Sequence, residues 1–336
     1  MKLPFEFGTK LLFRLVFPGA ILAAALAPAV HALLHAMGIW IKIQFAYPFE
    51  AVIWGWLVVV CDMPIYMLFE GRRFWPNFLR QALLKREELR LKRVKDLTDS
   101  PARSRNYLEA SVEYGLFPAD DNGKAYVEHP TRLGNIIESY EIYPKVKYGL
   151  DSVFFWYRLW VVIDKDLREE IDNAQAVVDS TVYVAFTSYV AGIVMLVYSA
   201  VQFFQMRLPT VAVLPYVRPG PYFLLGLSVA CLIIGYSIYR LSLPIHAQFG
   251  ELFKSVFDQN RSKLTFDDII NEVGGILGEP GLWKHTEKMK NLAVWRFLRW
   301  HLIRDEAAKM NLTIKQWEGQ QKNPSPLVPG KKAPEV

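Results

Sequence analysis

Three long stretches of this 336-residue chain carry no charge: Leu15 to Ile41, Ser180 to Met206 and Pro219 to Tyr239. Buried helices of soluble domains rarely run so far without a charged residue. Roughly 20 apolar residues, each rising about 1.5 Å, are enough to cross a hydrocarbon core about 30 Å thick. Cysteine is scarce as well. The two present, Cys61 and Cys231, fall inside apolar stretches, so neither a disulfide framework nor a thiolate metal site is expected. Also missing are a phosphate-binding glycine loop, a dinucleotide fingerprint, a nucleophile elbow and a His-Glu-x-x-His zinc helix. No paired carboxylates stand at a catalytic spacing. These absences point away from an enzyme, and no cofactor is expected.

What is present is apolar and bunched. Hydrophobic residues make up 52% of the chain, and a fourth stretch, Pro48 to Phe69, is interrupted only by Glu50 and Asp62. The expected fold is an all-α integral membrane protein with four transmembrane helices, a helical cytoplasmic insert and a helical C-terminal region. The spans are read at 15–38, 47–69, 181–205 and 220–243. Between and around them lie a short N-terminus (1–14), the insert (70–180), C-terminal helices (244–318) and a Pro-, Lys- and Gly-rich tail (319–336). The tail is expected to be disordered, because it has too little apolar surface to bury.

Net charge is +6, which in a soluble protein would suggest nucleic acid. Its distribution suggests orientation instead. Of the 39 Lys and Arg, all but Lys42, Arg207 and Arg218 lie in the terminal and insert regions. Lys and Arg concentrate on the cytoplasmic side of short loops, so both termini and the insert are expected there. An alternative, cleavage after Val30-His31-Ala32 as in a signal peptide, is disfavoured because the apolar stretch continues past that point.

Within the insert, Pro76 opens a basic helix reaching about Val94, and Ser100-Pro101 reads as a helix start. Phe117 to Gly123 is a turn-rich loop, and its Asp120-Asp121-Asn122-Gly123 lacks the later ligands of a calcium loop. Asp164 to Asp179 reads as an amphipathic helix feeding the third span. A helix over about 282–310 places Leu292, Trp295, Leu298 and Leu302 on one face, expected to be the packed face of a bundle.

Few residues stand out chemically. Asp62 lies inside a span, eight residues from Glu70, or roughly 12 Å at about 1.5 Å per residue. A carboxylate at that depth costs about 2.5–3.5 kcal/mol on insertion scales and should have a partner. Arg240 is the first choice and Arg14 the second. The segment Arg132, Gly134, Asn135, Glu138 and Glu141 is dense in possible contacts, either as an internal framework of capping and ion pairs or as a ligand or partner surface. His31 and His35, four residues apart on one helix face, are weak metal candidates lacking a third ligand.

Pro130-Thr131-Arg132-Leu133-Gly134-Asn135, followed by Tyr148-Gly149-Leu150-Asp151, Trp156, Arg158 and Leu159, resembles a pattern in uncharacterised bacterial multi-pass membrane proteins. The resemblance implies a bacterial inner-membrane setting and carries no activity. The order of spans, with inside termini and a long insert after the second, is similar to bestrophin-type chloride channels in topology only. Two functions are compatible with such a chain. One is a homo-oligomeric channel or pore gated through its cytoplasmic helices; the other is a non-conducting scaffold that docks a cytoplasmic protein. In both, the lipid bilayer is the expected surround and nucleic acid is not an expected partner.

Overall fold

The computed structural model describes residues 11–99, 105–205, 220–277 and 286–300. The readings for Ser100-Pro101, the loop around Arg207 and Arg218, and the tail 319–336 fall outside these residues. Among the described residues the chain is all helical, apart from an isolated bridge between Ala119 and Ala125. Three helices are long and apolar enough to cross a membrane: Leu12–Ala36, Lys165–Phe204 and Pro221–Lys263. A bent pair, Phe45–Val60 with Asp62–Glu70, makes a fourth if counted as one span.

We number the helices α1 (Leu12–Ala36), α2 (Ile43–Val60), α3 (Asp62–Glu70), α4 (Asn77–Thr98), α5 (Arg105–Tyr114), α6 (Arg132–Glu141), α7 (Tyr143–Tyr148), α8 (Ser152–Val162), α9 (Lys165–Gln205), α10 (Pro221–Asn260), α11 (Asp267–Leu277) and α12 (Glu287–Trp300). The amphipathic helix expected to feed the third span is continuous with it. α9 has 41 residues and α10 has 40, so each is about 60 Å long, twice an apolar core. The first half of α9 and the second half of α10 therefore extend beyond any apolar layer, and that half of α10 carries α6, α7 and α8.

Small residues let the apolar helices approach closely. A Cβ on Gly19 of α1 would lie 1.9 Å from the Ala51 carbonyl oxygen of α2, and one on Gly55 would lie 2.1 Å from that of Leu15. The two backbones thus touch at this crossing, where dispersion contacts are densest and no larger residue fits. α9 and α10 pack along their lengths, and Ser228 donates to the Gly192 carbonyl at 2.7 Å.

At the charged end, the core gathers Leu133 and Ile136 of α6, Phe155 and Leu159 of α8, Val256 and Phe257 of α10, Val273 of α11 and Val294 of α12. Trp156 stacks on Phe253 with ring centroids 4.7 Å apart. Ala293 and Val294 of α12 are buried, with Trp295 and Leu298 packed against the core, as a bundle face requires. Asp258 of α10 accepts hydrogen bonds from Tyr143 and Tyr148, pinning α7 to the long helix. In the 117–123 loop, Asp120 accepts from the Asn122 and Lys124 amides and Asp121 pairs with Lys288 at 2.9 Å, so both carboxylates serve the fold.

Candidate functional site: two crossed Asp-Tyr pairs at a broken helix

The break between α2 and α3 has a local cause. Pro64 has no amide proton to offer the Val60 carbonyl, and its ring crowds that turn. Cys61 leaves the helical conformation (φ −87°, ψ 16°), and the two segments meet at a 61° bend. Asp62 then falls in the first turn of α3, where the exposed amides and the positive end of the helix dipole favour a carboxylate.

Asp62 and Tyr66 lie four residues apart and so share one face of α3. Asp179 and Tyr183 have the same spacing on α9. The helices run antiparallel, and each tyrosine reaches the other helix's aspartate. Tyr183 donates to Asp62 Oδ1 at 2.7 Å, and Tyr66 donates to Asp179 Oδ1 at 2.7 Å. The guanidinium of Arg14 donates to the other oxygen of Asp179 and lies 3.9 Å from Asp172. Arg14 sits in a π-helical turn, Leu12–Val16, a widened turn that often marks a functional position. Asp179 and Tyr183 are buried.

The expected partnership of Asp62 with Arg240 is therefore corrected. Asp62 is held by a neutral phenol, and Arg240 is exposed, close enough to Arg132 to repel it. The helical register explains the difference: Arg240 faces α6, whereas Tyr183 on α9 faces the break. Arg14 does join the cluster, but through Asp179. Two carboxylates, two phenols and one guanidinium thus meet where α1, α3 and α9 converge, leaving one formal negative charge if both acids are ionised. On the far side of α9's turn, an apolar cavity of ≈ 510 Å³ opens between Phe13, Phe17, Ala176, Thr181 and Ile238.

Below the break, the predicted contact-rich segment docks onto the end of α3. Thr131 caps α6 by accepting from the Gly134 amide at 3.0 Å. Gly134 is helical, and a Cβ there would lie 2.4 Å from the Glu70 carbonyl oxygen. Asn135, fully buried, accepts from the Glu128 and His129 amides and donates to the His129 and Thr131 carbonyls. Gly134 and Asn135 are thus interior framework residues.

Glu138 and Glu141 instead meet Arg72, at 3.1 Å and 3.2 Å, and Arg72 also grips Glu70. His129 stands 3.2 Å from Glu138. Its hydrogen bond, helped by Arg72 against the cost of burial, holds the Glu138 carboxyl below the usual range. Burial pushes Glu141 up, and Arg72 offsets this only in part. Arg132 points elsewhere, 3.5 Å from Glu113, where burial and the neighbouring Arg90 lower its pKa.

His31 and His35 are sent to different partners. His31 Nε2 lies 3.5 Å from Glu50 Oε1, whereas His35 packs at a tilt against Trp40 with centroids 4.0 Å apart. Asp179, Tyr66 and Tyr183 escape a residue-by-residue reading, yet the repeated Asp-x-x-x-Tyr spacing in two apolar helices is a legible signal for them. Compared with protein families, characterised proteins and solved structures, the chain matches none.

Proposed function

We propose that the chain is a four-span protein of the bacterial plasma membrane, with both termini cytoplasmic, that assembles as a homo-oligomer and conducts ions under control of its cytoplasmic helices. The observation carrying this reading is the crossed Asp-Tyr pairs at the break in α2–α3. Ionisable groups inside an apolar bundle are costly and characteristically mark ion pathways, and broken spans expose helix ends that can hold ions. α9 supports the gating half of the proposal, since one uninterrupted helix carries Asp179 and, about two turns earlier, Ile171 of the core at the charged end. Four helices enclose little pathway alone, hence the oligomer. Ion flux from liposomes containing the purified protein tests the reading. Flux that falls at least tenfold in Asp62→Asn and Asp179→Asn supports it, and no flux under any ionic or pH condition overturns it.

A non-conducting scaffold has one observation of its own. Val153, Tyr157 and Val161 of α8 form an i, i+4, i+8 stripe exposed at 71%, 78% and 75%, opposite the buried Phe155 and Leu159. An apolar stripe outside the expected spans suits a protein partner. Site-specific crosslinking from Tyr157 in cells, coupled with normal growth of flux-dead variants, would favour this reading over conduction.

A further inference from the structure

Glu50 and His31 lie beyond the break, on α2 and α1, remote from the crossed pairs. They are 8% and 3% exposed, and neither Glu50 carboxylate oxygen receives a hydrogen bond from a described residue. The nearest charge-bearing group is His31 Nε2 at 3.5 Å. Among the described residues Glu50 makes no other ion pair. On α1 the other titratable groups are His35, engaged with Trp40, and Arg14, which donates to Asp179 at the crossed pairs; on α2 it is Tyr47, which donates to the Ala20 carbonyl at 2.9 Å. α9 brings only Tyr198, beside the Ala29 backbone, and has no Lys, Arg, Asp or Glu after Asp179.

An ionised carboxylate in such a place must be neutralised by a proton or by a protonated partner, because burying it alone costs far more than either. The distance to His31 allows both. We infer that Glu50 and His31 form a proton-binding site in which one proton is held between the two side chains. The pair is then neutral overall whichever side chain carries the proton. A second proton would leave a buried cation, and removing the one would leave a buried anion, so single occupancy is favoured. The site joins α1 to α2 beyond the Gly19–Gly55 crossing. It does not depend on whether the protein conducts ions.

The test is infrared difference spectroscopy on the full chain in lipid nanodiscs at neutral pH. In His31→Ala the proton has only Glu50 to occupy. We expect a carboxylic-acid band of one residue that is absent from the His31→Ala/Glu50→Gln double variant. His31→Gln, which preserves bulk and a hydrogen-bond donor, provides the same comparison should His31→Ala fail to fold. Identical spectra for the single and double variants would mean that Glu50 is ionised without His31, and would overturn the inference. So would a band that vanishes at neutral pH while the protein stays folded.

Discussion

At the residue scale, pairing across the break makes Asp62 and Tyr183 interdependent. Removing one partner of a buried hydrogen bond strands the other, so the two single losses should overlap. In thermal unfolding, Asp62→Leu and Tyr183→Phe are expected to be sub-additive by about 1–2 kcal/mol. Asp62→Leu and Arg240→Leu should simply add. Asp179→Leu should be the most damaging single change here, because it removes the carboxylate that both Arg14 and Tyr66 donate to and leaves Arg14 only Asp172 at 3.9 Å.

Two of the three carboxylates on Arg72, those of Glu138 and Glu141, should respond oppositely to pH. Glu138 is held below the usual range by His129 first and then Arg72, so its contribution is present above the unfolded carboxylate's pKa and is lost as pH falls through the folded one. Glu141 is raised by burial, so its contribution is present below the unfolded pKa and is lost as pH rises through the folded one. Glu138→Gln should lower the melting temperature near neutrality. Glu141→Gln should raise it, the gain fading in acid. Melting curves of both variants across the carboxylate range decide the signs.

At the element scale, the α1–α2 crossing depends on the absence of side chains. Gly19→Ala places a methyl against the Ala51 and Gly55 backbones, which cannot rotate away as a side chain could. The expected loss is about 1–3 kcal/mol, the usual cost of overpacking. Gly226→Ala on α10 meets nothing within 4 Å and should be neutral or slightly stabilising. Equal melting shifts for the two would show that the crossing is not a close contact in the folded protein. The break in α2–α3 was not legible as a bend. Pro64 stands in plain view, but proline within an apolar helix is often accommodated, and only its meeting with a non-helical Cys61 produces the 61° turn.

At the scale of the whole molecule, α9 and α10 carry the organisation. Each is twice the thickness of an apolar layer, and the outer half of α10 is the spine on which α6, α7 and α8 assemble. α9 runs unbroken from Ile171, in the core at the charged end, to Asp179 and Tyr183. The proposed orientation is checked by cysteine labelling in intact cells. A cysteine at Lys42 should react with an impermeant reagent, and those at Arg86 and Lys290 should stay protected. Reaction at the latter pair would reverse the topology.

Composition and patterning alone were enough for the helical class, for three of the apolar helices and for the amphipathic lead into α9. Those follow from local rules: uncharged length, helical spacing and the poverty of turn residues within each stretch. The packed face of α12 was readable in part: Trp295 and Leu298 pack against the core, but the most buried residues are Ala293 and Val294, and Leu302 lies outside the described residues. Partner choice was not. Whether Asp62 meets Arg240, Arg14 or Tyr183 depends on the rotation of each long helix about its axis, a shift of about 100° per residue that depth counting ignores. His31 and His35 share a face by spacing, yet the tilt of α1 against α2 buries one beside Glu50 and leaves the other against Trp40. Depth along a helix is a property of the chain, whereas facing is set by how the helices pack, so only the tertiary structure could bring Asp62, Tyr66, Asp179 and Tyr183 into one site.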